Sequence, residues 1–146
     1  MSRTVVTRQI HAKPETVFDA VAHIENFRKA VANITNIEFL SDRQSGVGTR
    51  FRETRVMKGR EATVELEVTE YVPHDRVRIV SDTHGTVWDT VFTVEPKGDQ
   101  TELTMTMDAN AYKLLPKLVN PMIRGMIQKA VEEDMDAVKT FCEARS

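Results

Sequence analysis

The sequence predicts an α+β fold: an antiparallel sheet of about seven strands closing on one long C-terminal helix, in the order β-α-α-β6-α. Three observations carry this. Beyond Asn120-Pro121, the apolar residues Met122, Ile123, Met126, Ile127, Ala130, Val131, Met135, Val138, Phe141 and Cys142 recur at three- and four-residue spacing, as a buried helical face requires. From Thr35 to Ala109 the period is two instead, the signature of strands with one buried and one wet face. The connections between these alternating runs are only about two to six residues, which allows hairpins and so an antiparallel sheet. A helix from Pro121 to Ala144 would be about 36 Å long and marginal alone, so the sheet must cover its apolar stripe.

Thr4 to His11 is β-branched and alternating, and it stops at Ala12-Lys13-Pro14. Pro14 opens a short helix with Val17, Phe18 and Val21 on its apolar side; a second, roughly Glu25 to Ala32, carries Phe27 and Val31. Both are too short to persist undocked. Ile37 and Phe39 mark the next strand, ended by Ser41 to Gly46, and Gly46-Val47-Gly48 leads into a strand from Thr49 to Met57. After the turn Lys58-Gly59, the strand Arg60 to Tyr71 sets Ala62, Val64, Leu66 and Val68 against Thr63, Glu65, Glu67 and Thr69. Beyond Pro73-His74-Asp75, Val77, Ile79 and Ser81 alternate with Arg76, Arg78 and Asp82. His84-Gly85 turns into the strand of Trp88, Thr90, Phe92 and Val94, which Pro96-Lys97-Gly98-Asp99 breaks. The last strand sets Leu103, Met105, Met107 and Ala109 against Thr104, Thr106 and Asp108. The apolar stretch Leu114 to Val119, interrupted by Pro116, reads as a separate short turn before the helix, at the end of the space between sheet and helix. Asn120 is its expected N-cap and Pro121 its first residue.

Bulk properties exclude several classes. The chain has 146 residues, read as a single domain spanning 1–146. A net charge of −2 leaves no electrostatic footprint for nucleic acid. There is no signal-like apolar region at the N-terminus and no run near the roughly 20 apolar residues of a membrane span. A cytoplasmic protein without stable membrane insertion is expected. One cysteine, Cys142, excludes an internal disulfide and reads as a small core residue. His11, His23, His74 and His84 have no metal-ligand spacing, so no metal and no cofactor is expected. Gly46-Val47-Gly48 precedes a strand rather than a helix, so it is a turn and not a phosphate cradle. Oligomeric state is not legible.

The strand Phe51-Arg52-Glu53-Thr54-Arg55 carries the one chemical ambiguity. If Phe51 points inward, alternation sends Glu53 and Arg55 inward too, and Arg8 between Val6 and Ile10 faces the same way. Buried charges must pair or line a wet cavity. A bulge near Gly48 would instead slip the register by one and leave Glu53 and Arg55 in solvent. Alternation alone does not choose.

The opening Ile10-His11-Ala12-Lys13-Pro14-Glu15-Thr16-Val17-Phe18 resembles that of the START-like, birch-pollen-allergen-like superfamily, also called SRPBCC or polyketide cyclase/dehydrase and lipid transport. Gly46-Val47-Gly48-Thr49-Arg50, Leu66 to Pro73, Trp88 to Val94 and Leu103-Thr104-Met105 resemble its strands and turns, so the likeness spans the chain. It implies a helix-grip fold, with a curved sheet around the C-terminal helix and a ligand cavity between them. The motifs are structural, and the family includes carriers, receptors and cyclases without a shared pocket motif, so the likeness leaves the ligand open.

The first expectation is therefore a binding or transport protein for a hydrophobic or amphipathic small molecule. Its cavity would be lined by Phe51, Glu53, Arg55, Leu66, Val68, Ile79, Ser81, Trp88, Thr90, Phe92, Met105, Met107, Met122 and Met126. The alternative is a cyclase/dehydrase-like enzyme in which Glu53, with Arg55 beside it, acts as acid or base. A protein-docking module ranks last, because Thr63, Glu65, Glu67, Thr69, Arg76 and Arg78 leave no apolar patch on the wet face.

Overall fold

A computed structural model gives the architecture, and it describes residues 2–113 and 121–145. The elements are β1 (Ser2–Ile10), α1 (Pro14–Ala22), α2 (Ile24–Ala30), β2 (Ile34–Phe39), β3 (Arg50–Met57), β4 (Arg60–Val72), β5 (Arg76–Thr83), β6 (Thr86–Lys97), β7 (Gln100–Ala111) and α3 (Pro121–Glu143). All strands join one antiparallel sheet in the order β1-β7-β6-β5-β4-β3-β2. The consecutive hairpins are as expected; β1 pairs with β7 at one edge, and α1 and α2 carry the chain from there to β2 at the other. The expected N-cap Asn120 and the turn at 114–119 lie outside the described residues.

Two hairpins are turned by Lys58-Gly59 and His84-Gly85. All four residues have positive φ (52° and 76°, 51° and 86°), the backbone that keeps a two-residue turn in step with strand twist. Pro96 does not end β6 as expected; pairing continues to Lys97 opposite Gln100. The reason is geometric. Val94 N–H donates to Asp75 O at 2.8 Å, on the β5 side. Two residues on, position 96 faces the same side, beyond the end of β5, where proline's missing N–H has no partner to lose.

The core fills the inward face of the sheet at the end where α1 and α2 dock. Val17, Phe18, Val21, Val77, Leu103, Met135 and Val138 are at most 1% exposed. A bulge in β4 between Val68 and Glu70 resets the alternation, so that Tyr71 opposite Val77 turns inward and meets Phe18 edge-on at 5.3 Å. Thr101 Oγ1 donates to Ala12 O at 2.7 Å and ties the β1–α1 corner to β7.

The helix face requires a correction. Val131, Met135, Val138 and Cys142 are buried, but Met122 and Met126 are 74% and 55% exposed. Met126 lies nine residues before Met135, which at about 100° per residue is about 180° around the helix; Met122 is about 140° away. Three-and-four spacing holds between neighbours in the expected series, yet the whole series wraps around the helix. The buried stripe is the narrower set centred on Met135.

The outer face of the sheet is polar, as expected. Arg52 bridges Glu38 at 2.8 Å and Glu65 at 2.9 Å across three strands, and Arg78 pairs with Asp89 and Arg76 with Glu70.

Candidate functional site

The register of β3 decides the site. Phe51 pairs with Leu66 on β4 and Phe39 on β2, Glu53 with Val64 and Ile37, and Arg55 with Ala62. Phe51 is 4% and Glu53 7% exposed, so the inward reading holds and no slip occurs near Gly48. The bulge lies one strand earlier, in β2 between Ile34 and Asn36, and leaves β3 in phase with β4.

Arg55 extends from the sheet to α3. Its Nη1 donates to both Asp134 oxygens, at 3.1 and 3.0 Å, and its Nη2 to Glu53 Oε1 at 3.4 Å. Glu53, Arg55 and Asp134 thus form a triad in which two carboxyls share one guanidinium, with Glu53 buried and Arg55 and Asp134 partly buried. Asp134 was not among the expected site residues. Its signal was there to find: it stands three residues after Val131 and four before Val138, so it borders the buried stripe.

Burial pushes the Glu53 and Asp134 carboxyls above the ordinary carboxylate range, against the opposing pull of Arg55. For Arg55, burial disfavours the charge, but the two carboxyls outweigh it and the guanidinium is held above its usual value. A second inward arginine behaves alike. Arg8 on β1 faces α3, with Nε 2.6 Å from Asp136 Oδ1 and Nη2 3.9 Å from Glu132.

The other expected residues share the inward face by register: Val68 opposite Ile79, Ser81 opposite Trp88, Ile79 opposite Thr90, Thr90 opposite Met107, and Phe92 opposite Met105. They divide into two groups. Val68, Phe92 and Met105 are sealed in the core beneath α1 and α2, and Phe92 meets Phe27 edge-on at 5.9 Å. Leu66, Ile79, Trp88, Thr90 and Met107 are only half-buried, although all five sit on strands interior to the sheet. Leu66, Ile79 and Met107 pack against the margin of the core. Ser81, 6% exposed, is linked to Thr83 by a 2.8 Å hydroxyl contact. Met122 and Met126 point away from this wall and do not join it.

Two clefts flank α3. One, of about 330 Å³, lies between the start of β1 and the first turns of α3 and includes Arg3, Arg124 and Gln128. The other, of about 510 Å³, lies between α2 and the second half of α3 and includes Ala30 and Phe141. Neither contains the triad, and no group of histidine, cysteine and carboxylate side chains among the described residues is placed to hold a metal. No helix among them is long and apolar enough to cross a membrane.

A seven-stranded antiparallel sheet closed on a C-terminal helix defines a helix-grip protein. The chain belongs to the polyketide cyclase/dehydrase and lipid transport family, whose model matches residues 1–143. Among solved structures it is similar to TTHA0849 from Thermus thermophilus, at 20% identity and a TM-score of 0.81 with 99% of each chain covered. It is likewise similar to a START superfamily protein from Mycobacterium smegmatis, at 16% identity, a TM-score of 0.81 and 99% of each chain. Ara h 8.0201 follows at 12% identity, a TM-score of 0.80 and 98% of each chain. At such identities the likeness is one of fold. No protein of curated function matches the chain.

Proposed function

We propose that this protein binds an amphipathic small molecule between the sheet and α3. Its apolar part would lie along Leu66, Ile79, Trp88, Thr90 and Met107, and its polar end would meet the Glu53–Arg55–Asp134 triad. The observation that carries this reading is the half-buried apolar wall on the same sheet face as a largely buried charged triad. A dry core would not retain such a triad without strong compensation, whereas a ligand site uses a few polar anchors in an apolar cavity. Apolar burial would supply the driving force, at about 25 cal/mol per Å² before the costs of association.

Trp88 is the one tryptophan in the chain and lies on this wall, so its fluorescence reports occupancy. Native mass spectrometry of freshly purified protein should reveal a bound small molecule, and a titrated apolar ligand should change Trp88 emission saturably. Met107→Trp and Leu66→Trp, which fill the space, should abolish retention of that mass. Retention unchanged in both variants would place the ligand elsewhere and defeat the proposal.

A second reading has one specific observation in its favour. Glu53 and Asp134 both have carboxyls raised by burial, which suits an acid or base working near neutral pH. A cyclase/dehydrase-like activity on the same bound molecule would use one of them for proton transfer while Arg55 steadied the developing charge. Turnover abolished by Glu53→Gln with ligand affinity retained would establish this reading, and turnover unchanged in both Glu53→Gln and Asp134→Asn would remove it.

A further inference from the structure

The triad sets two carboxyls against one guanidinium, and one carboxyl oxygen is left over. Glu53 uses Oε1 for Arg55, at 3.4 Å, while its second oxygen has no hydrogen-bond partner among the described residues. The Glu53 side chain is 9% exposed. Asn33 Oδ1 is the only fully enclosed side-chain polar atom without a partner among the described residues, so Glu53 Oε2 still touches open space. An unpaired carboxylate oxygen in such a position calls for a donor. Each inward-facing arginine is already engaged by two carboxyls. Arg55 is shared between Glu53 and Asp134, and Arg8 between Asp136 and Glu132. Arg124 lines the separate cleft against β1.

Resting on the ligand-binding reading above, we infer that the site selects amphiphiles whose polar end donates a hydrogen bond, a hydroxyl or a protonated amine, and discriminates against carboxylates. A donor head would satisfy Glu53 Oε2 directly. A carboxylate would be a third carboxyl competing for a guanidinium that already holds two, in a poorly solvated place.

The test uses one chain length and varies the head. Nile red, a neutral apolar dye, is bound to the wild-type protein and displaced by 1-decanol, decylamine or decanoate at neutral pH. Decylamine and decanoate are both charged, so their comparison isolates the sign of the charge and the ability to donate. Decylamine and 1-decanol should displace the dye at concentrations at least about tenfold below decanoate, equivalent to about 1.4 kcal/mol. In Glu53→Gln, which keeps the shape and removes the charge, that ratio should fall below about threefold. Decanoate matching or surpassing decylamine on wild type, with the dye bound saturably, would overturn the head-group inference and leave the binding site standing. A dye that fails to bind saturably, or that none of the three displaces, would overturn both. The wild-type panel decides the matter even if Glu53→Gln does not fold.

Discussion

Arg55 of β3 and Asp134 of α3, 79 residues apart in the sequence, meet across the gap between sheet and helix with Nη1 3.0 Å from Oδ2. Asp134 thereby holds Arg55 more closely than Glu53 does from two residues away on the same strand, at 3.4 Å. The asymmetry orders the consequences of removing each group.

Arg55→Ala strands one buried and one partly buried carboxyl and should be the most damaging of the three alanine substitutions, at about 3–5 kcal/mol in urea unfolding. Asp134→Ala removes the shorter contacts and should fall between. Glu53→Ala leaves the Arg55–Asp134 pair intact and should cost the least, and Glu67→Ala on the outer face should stay within about 0.5 kcal/mol. Equal, near-neutral effects at all three triad positions would show that the triad does not couple sheet to helix in solution.

Stability should respond to pH in a direction set by burial. The folded-state carboxyls of Glu53 and Asp134 lie above their unfolded values, so the native state binds their protons more tightly. Their contribution is fully present below the ordinary carboxylate range and is lost as pH rises through the raised folded values. Glu53→Gln should therefore gain on wild type as pH rises across that window. Asp108, held below the ordinary range by Arg3, has the opposite sign: its contribution is lost as pH falls. Parallel stability–pH curves for wild type and Glu53→Gln would contradict the raised Glu53 carboxyl.

The helix has one load-carrying face. Met135→Ala, at a position with 0% exposure, should cost about 2–5 kcal/mol. Met126→Asp, at 55% exposure on the opposite side, should change stability by no more than about 0.5 kcal/mol. Thermal or urea melts of the two variants check this, and a large loss from Met126→Asp would mean the outward side of α3 is covered.

Cys142 should be inert while the domain is folded. It is 0% exposed, and burial pushes its thiol up to about 11, so little thiolate exists near neutral pH. Labelling with a thiol reagent should be slow in buffer and rapid in urea. Fast native labelling would report that the C-terminal turns of α3 detach from the core.

The strands, their inward faces and the hairpin turns were legible in the sequence because alternation and turn chemistry are local: Val77-Arg78-Ile79 or Lys58-Gly59 has the same preference wherever it sits. The inward direction of Glu53 and Arg55 was not, since a one-residue slip reverses every side chain, and only the pairing of Phe51 with Leu66 and Phe39 excludes it. The bulge at Val68/Glu70 that turns Tyr71 toward Phe18 depends on the same long-range pairing. The helical spacing revealed α3 but overstated its buried face, because linking apolar neighbours pairwise carried Met122 about 140° and Met126 about 180° around the helix from Met135. Asp134 had a readable place beside that stripe, but its partner did not. An ion pair between residues 79 apart exists only once the sheet has closed on the helix, so sequence by itself determined the framework, and tertiary structure alone decided which charges meet inside it.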